Sequence, residues 1–344
     1  FRCLLGVCFV FIILVFIYFG SDPIVKLSSL RDFSVARFTL TERVLTQFRV
    51  VVHYLILFFY PNPSQLNLDY DFALSHSLFD PLTTLFSALL LAGFIGAGIL
   101  SAKKHRLLSF CIFWYFFNLV IESSVIPLAI IFEHRTYMPF MGLALFAVLL
   151  IDRYLKLYWL KAVLLGLMIA ICALWTYQRN ETWRDPVTLW QDVVDKSPAK
   201  AWPYANLGLA FHDAGELKPA VAAYKNALNI EPDNAETLNN LGSVLKDQDQ
   251  LAEAALYFRS ALKNDPKQVN ALTNLGSILM ELGQPETAVN YLRRALEIDP
   301  THPTALNNLG AAYRDLGKPQ EAANLFATAL NIDPDNVSAL NHLG

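Results

Sequence analysis

KQVNALTNLGSILMELGQPETAVNYLRRALEIDP, residues 267–300, is one copy of a pattern that recurs every 34 residues through the C-terminal half. Working outward from it, Pro300 has counterparts at Pro198, Pro232, Pro266 and Pro334, and Gly276 at Gly208, Gly242, Gly310 and Gly344, each glycine preceded by Leu. Ala288 recurs as Ala220, Ala254 and Ala322, and Ala295 as Ala227, Ala261 and Ala329. Small Gly and Ala let two helices approach closely, with Leu and Tyr or Phe filling the gaps. Proline ends the second helix, because it lacks an N–H and clashes with the preceding turn.

A period of 34 with these residue types is the tetratricopeptide signature. Each helical pair buries its apolar faces only against its neighbours, so the pairs stack into a quasi-one-dimensional superhelix. The period predicts repeats at 201–234, 235–268, 269–302 and 303–336, a partial one at 337–344, and a linker with a capping helix at 178–200.

The N-terminal half is built for another solvent. The chain has 344 residues with 17% charged, and a mean hydropathy of +0.35, too apolar for an ordinary soluble protein. Residues 1–177 carry 13 Lys and Arg against 9 Asp and Glu, gathered between apolar runs; residues 178–344 carry 14 against 21. The acidic half argues against nucleic-acid binding, which needs a basic surface. All four cysteines (Cys3, Cys8, Cys111, Cys172) lie in apolar runs, so there is no disulfide framework and no zinc spacing. The chain opens at Phe1 inside an apolar run and stops at Gly344 in mid-repeat, as a piece cut from a longer chain at both ends does.

About 20 apolar residues of helix cross a hydrocarbon core. Stretches 1–19, 81–102, 107–121, 138–151 and 157–177 meet or approach that length. The expected fold class is all-α: a multi-pass helical membrane domain at 1–177, then the repeat superhelix. Lys103, Lys104 and Arg106 form one basic loop, and Arg153, Lys156 and Lys161 another. Both fall on the cytoplasmic side if residues 21–80, the loop at 133–137 and everything after Tyr177 lie outside. The segment 41–60 is apolar but carries Arg49 and His53, a costly burden for a span. It reads as a helix in the outer interface, with Arg43, Arg49 and His53 turned to the headgroups.

The runs LTQFRVVVHYLILFFYPNPSQLNLDYDF (45–72) and ESSVIPLAIIFEHRTYMPFMGL (122–143), followed by the repeats, resemble the transmembrane-and-tetratricopeptide family of protein O-mannosyltransferases and its bacterial relatives. The resemblance implies a membrane glycosyltransferase that takes a sugar from a polyprenyl-phosphate carrier (dolichyl or undecaprenyl) and transfers it to protein on the extracytoplasmic face. That face is the bacterial periplasm or the lumen of the endoplasmic reticulum. It also implies an acidic catalytic pair in a loop upstream of Phe1, so no catalytic residue is nominated here. The alternative is a non-enzymatic, membrane-anchored scaffold for protein–protein interaction or envelope assembly. A third reading is a ligase acting on saccharide acceptors.

HRTYMP (134–139) stands at the expected outer mouth of a membrane helix. Arg135 offers a planar fork to phosphate oxygens and Tyr137 a hydroxyl; with His134, and with Arg49 from the interfacial helix, they are candidate contacts to the carrier phosphate. Interfacial anchoring and snorkelling are their plainer readings. Glu122, late in an apolar run, is a candidate support or a partner for Arg135. Asp69 and Asp71 form a D-x-D of the kind that holds a divalent metal, outside the family's catalytic loop. No metal or cofactor is expected, only the lipid-linked sugar as donor substrate. GFIGAG (93–98) places its glycines mid-span, where they serve helix packing.

Asn206, Asn240, Asn274 and Asn308 occupy one position in the first helix of four successive repeats, a position that lines the inner face of such superhelices. Each amide carries a donor and an acceptor, so the row can pair with an extended peptide backbone whatever its side chains. The array resembles the asparagine ladder of O-GlcNAc transferase. The plainer reading is that each Asn bridges neighbouring helices. The expected partners are the lipid bilayer and an extended polypeptide, with no nucleic acid.

Overall fold

The protein is described by a computed structural model covering residues 39–68, 70, 72–119 and 137–343. Regular structure among them is all α-helix: α1 Leu40–Phe59, α2 Thr83–Ser101, α3 Arg106–Leu119, α4 Tyr137–Tyr154, α5 Tyr158–Trp183, α6 Pro186–Lys196, α7 Ala201–Asp213, α8 Leu217–Ile230, α9 Ala235–Asp247, α10 Leu251–Asn264, α11 Val269–Glu281, α12 Pro285–Ile298, α13 Pro303–Asp315, α14 Pro319–Ile332 and α15 Val337–Leu343. The chain divides into two units, one ending at Trp183 and the other starting at Arg184.

In the first unit α1 opens on a capping box. The Glu42 amide donates to the Thr39 hydroxyl at 3.2 Å, and the Thr39 amide donates back to the Glu42 carboxylate at 2.7 Å. That backbone donor, then His76, holds the Glu42 carboxyl below its ordinary pKa. Val50, Val51, Tyr54, Leu55 and Leu57 of α1 pack with Leu91 of α2, Tyr115 and Leu119 of α3, and Leu143 of α4. The buried Tyr115 hydroxyl finds its acceptor in the Val51 carbonyl, 2.7 Å away.

Two described helices are long and apolar enough to cross a membrane, α2 with 19 residues and α5 with 26. None of the residues of α5 is buried. Helix α3 is described over 14 residues, as far as Leu119, where the described residues stop. The apolar run at 1–19 lies outside the described residues. Of the three α1 side chains expected to face the headgroups, Arg43 is fully buried, as is Thr46. The segment after α1 folds back along this face, with the Ser75 amide donating to the Thr46 hydroxyl at 2.8 Å. Arg43 is therefore not turned to a headgroup layer.

The second unit stacks helix pairs on one continuous core. The glycine rows mark where helices nearly touch. A methyl at Gly208, Gly242, Gly276 or Gly310 would stand 2.8, 2.8, 2.6 or 2.6 Å from the side chain of Tyr224, Phe258, Leu292 or Phe326. Those four partners are themselves 34 residues apart. The alanine rows at 220, 254, 288 and 322 and at 227, 261, 295 and 329 are all buried. Between units of the stack, the turn is closed by side chains: Asp265, Asp299 and Asp333 accept the amides of Lys267, Thr301 and Asp335 at 3.0–3.2 Å. The next helix is then capped, Asn234 accepting from Thr237 at 2.9 Å and Asn336 from Ala339 at 3.0 Å. Helix α6 packs on α7, with Val193 and Val194 buried and Trp190 edge-on to Trp202 at 5.0 Å.

Candidate functional site

The first helices of successive repeats, α7, α9, α11 and α13, touch one another along the stack, and they carry the positions expected to line its inner face. Asn206, Asn240, Asn274 and Asn308 lie there, each half-buried. Their amides are used unevenly. Asn206 donates to the Trp202 carbonyl one turn back, at 2.9 Å. Asn240 accepts from its neighbour Asn239 at 3.2 Å. Asn274 reaches across to the preceding repeat, donating to Asn239 Oδ1 at 3.1 Å and to Ser243 Oγ at 3.4 Å. Asn308 makes no side-chain hydrogen bond within the described residues. The row therefore keeps carbonyl acceptors at Asn206 and Asn274, donors at Asn240, and a whole amide at Asn308. Helix bridging and an available ladder coexist.

A second row, which the reading of motifs passed over, runs beside the first. Asp213, Asp247, Glu281 and Asp315 each follow a ladder asparagine by seven residues, two helical turns along the same face. All four are exposed. The residue before each is His212, Lys246, Met280 or Arg314. His212 Nε2 meets Asp247 at 2.6 Å and Lys246 Nζ meets Glu281 at 3.4 Å, both across a repeat junction. Lys246 also donates to Ser277 Oγ at 2.8 Å. The 34-residue registration was the signal that exposes this row, read at a polar position instead of a packing one.

At the α7 end the face is apolar. Trp202 and Leu209, on either side of Asn206, are 54% and 43% exposed. The corresponding residues in later repeats are Glu236 and Ser243, Asn270 and Ser277, then Thr304 and Ala311. Beneath, Tyr224 is fully buried and its hydroxyl has no hydrogen-bond partner among the described residues. Burial first, then Asp213 and Glu236, push its phenol above the usual tyrosine pKa.

In the first unit only Arg49 among the candidate phosphate contacts has a described side chain. Arg49 donates to the Ala73 carbonyl at 2.8 Å and to Ser75 Oγ at 3.4 Å, with its guanidinium 4.8 Å from the Phe72 ring centroid. His53 packs edge-on against Tyr70 and Phe72 at 5.2 and 5.9 Å, and its Nε2 is buried without a hydrogen-bond partner among the described residues. Tyr137 begins α4. Glu122, His134, Arg135, Asp69 and Asp71 lie outside the described residues. Among the described residues, no group of three His, Cys, Asp or Glu is placed to hold a metal.

Family models match only in the second unit. Two described as the tetratricopeptide repeat match residues 235–268 and 267–335, and one described as the TPR repeat matches 208–249. None of the curated proteins matches the chain. Among solved structures the chain is similar to YrrB, titled a TPR protein with an unusual peptide-binding site, at 24% identity and a TM-score of 0.40, covering 48% of this chain and 84% of that one. It is similar to MamA from Desulfovibrio magneticus at 18% identity and a TM-score of 0.40, covering 44% and 85%. A tetratricopeptide repeat protein from Parabacteroides merdae is 30% identical with a TM-score of 0.38, covering 42% and 57%. By period, by helix pairing and by the family models, residues 208–335 are tetratricopeptide repeats.

Proposed function

We propose that the repeat unit is a polypeptide-binding module whose inner face holds an extended segment through the amides of Asn206, Asn240, Asn274 and Asn308. The observation that carries this reading is the registration itself. Four amides stand at one position of four successive helices, half-exposed and with donors and acceptors to spare. A peptide backbone offers the complementary set at every residue. The test is conversion of all four to Ala in the full chain, followed by titration with unfolded peptides. A large loss of affinity is expected, and unchanged affinity removes the reading.

The module is carried, in this proposal, by a multi-pass membrane domain with the repeats on the extracytoplasmic side. The length of α2 and α5 and the largely exposed apolar surface of α5 favour it. A helix with this much exposed apolar surface finds its apolar surroundings in lipid.

The second reading builds on this and rests on the resemblance of residues 45–72 and 122–143 to the O-mannosyltransferases. The whole protein then transfers a sugar from a polyprenyl-phosphate carrier, and the groove raises the acceptor's effective concentration beside the reaction site. Arg135, Tyr137 and His134 meet the carrier phosphate, Arg49 assists with the guanidinium hydrogens not given to Ala73 and Ser75, and Glu122 orients Arg135. Transfer of radiolabelled sugar from a dolichyl- or undecaprenyl-linked donor in membranes is the test. No transfer beside intact peptide binding leaves the protein a membrane-anchored scaffold.

A further inference from the structure

We propose that the groove prefers polypeptide segments rich in lysine or arginine, an inference that rests on reading the inner face as a polypeptide site. The asparagine amides recognise backbone and are indifferent to side chains, so any preference must come from what stands beside them. What stands beside them is one carboxylate per repeat: Asp213, Asp247, Glu281 and Asp315, all exposed and two turns beyond the asparagines. Glu236 of α9, also exposed, adds a fifth. Facing these are Lys246, Arg314 and His212.

Those cations leave the row open to exchange. His212 pairs with Asp247, Lys246 with Glu281, and Arg314 with Asp315 at 3.5 Å. Partly exposed pairs of this kind are weak, so a ligand ammonium can displace them at little cost. At the third junction the cation is replaced by Met280, and Asp213 has no ion pair among the described residues. The excess of negative charge also reaches inward, since Asp213 and Glu236 both act on the buried Tyr224 phenol.

Spacing makes the match specific. Packed helices stand roughly 8–10 Å apart, and side chains of neighbouring first helices meet directly here, as Asn274 does Asn239. A polyproline II segment rises about 3.1 Å per residue and returns a side chain to the same side every third residue. One cation in three residues therefore meets one carboxylate per repeat.

The test uses the full chain in detergent micelles and labelled Gly/Ser peptides carrying Lys, Gln or Glu at every third position, read by fluorescence anisotropy. At low salt the Lys peptide is expected to bind about tenfold tighter than the Gln peptide, from roughly twofold per exposed pair, with the Glu peptide weakest. Raising salt shrinks the difference, because exposed charges are screened. The variant combining Asp213→Asn, Asp247→Asn, Glu281→Gln and Asp315→Asn abolishes the Lys advantage while the Gln peptide binds as before. Should that variant not fold, the salt titration of the unaltered chain decides alone. Equal affinity for Lys and Gln peptides overturns the preference and leaves the groove reading standing. Failure of all three peptides to bind overturns both. A Lys advantage that survives high salt or the carboxylate changes overturns the assignment to this row.

Discussion

Asp249 occupies a backbone position that the other repeats give to glycine. Its φ is 62°, where Gly215, Gly283 and Gly317 have 77°, 70° and 71°, and each is 34 residues from the next. The turn between the two helices of a repeat needs this left-handed residue, which an L side chain adopts at a cost and Gly does not. Asp249→Gly is expected to raise stability by about 0.5–1 kcal/mol, measured by urea unfolding. A neighbouring position shows the opposite constraint. Gly242 faces Phe258, and an added methyl would stand 2.8 Å from Cε1 of that buried ring. Gly242→Ala is expected to cost about 1–3 kcal/mol through overpacking. Phe258→Ala, which removes the ring that the methyl would meet, should relieve part of that cost, so the double variant loses less than the sum of the singles.

Helices differ in what their apolar residues face. In α8, α10, α12 and α14 the apolar stripe is used by the partner helix, as with Ala254, Phe258 and Ala261 of α10, all at 0% exposure. In α5 the same residue types are left open: Leu167, Ile169 and Leu174 are 55%, 69% and 55% exposed. An Ile→Arg change on a water-facing surface normally alters stability by no more than about 0.5 kcal/mol. In the middle of a membrane span, Arg costs about 2.5–3.5 kcal/mol of insertion. Ile169→Arg is therefore expected to lower membrane integration of α5 by about two orders of magnitude in an insertion assay, and unchanged integration argues that α5 does not span.

For the molecule as a whole, the proposal requires the repeats and the Lys103–Arg106 loop to lie on opposite sides of a membrane. Protease added on the repeat side of sealed vesicles is expected to remove the second unit and spare that loop, with survival of the repeats until detergent is added excluding the arrangement. Much of the repeat architecture was legible in the residues alone. Gly208, Ala220, Ala227 and Pro232, with their counterparts, each answer a local demand for close approach or helix ending, and a period imposed by such demands repeats in the chain. The stretch around α1 was less legible. An apolar helix dotted with arginines reads as interfacial by composition, and only the folding back of Ser75 onto Thr46, 29 residues earlier, accompanies the burial of Arg43. The carboxylate row shows the same division within the groove. Its presence at every 34th residue is a property of the sequence; that Asp247 meets His212 and Glu281 meets Lys246 is not. Which neighbours touch depends on the angle at which one helical pair stacks on the next, and that angle is set by the sum of core contacts such as Phe258 on Gly242, a quantity of the packed molecule and of no single stretch of chain.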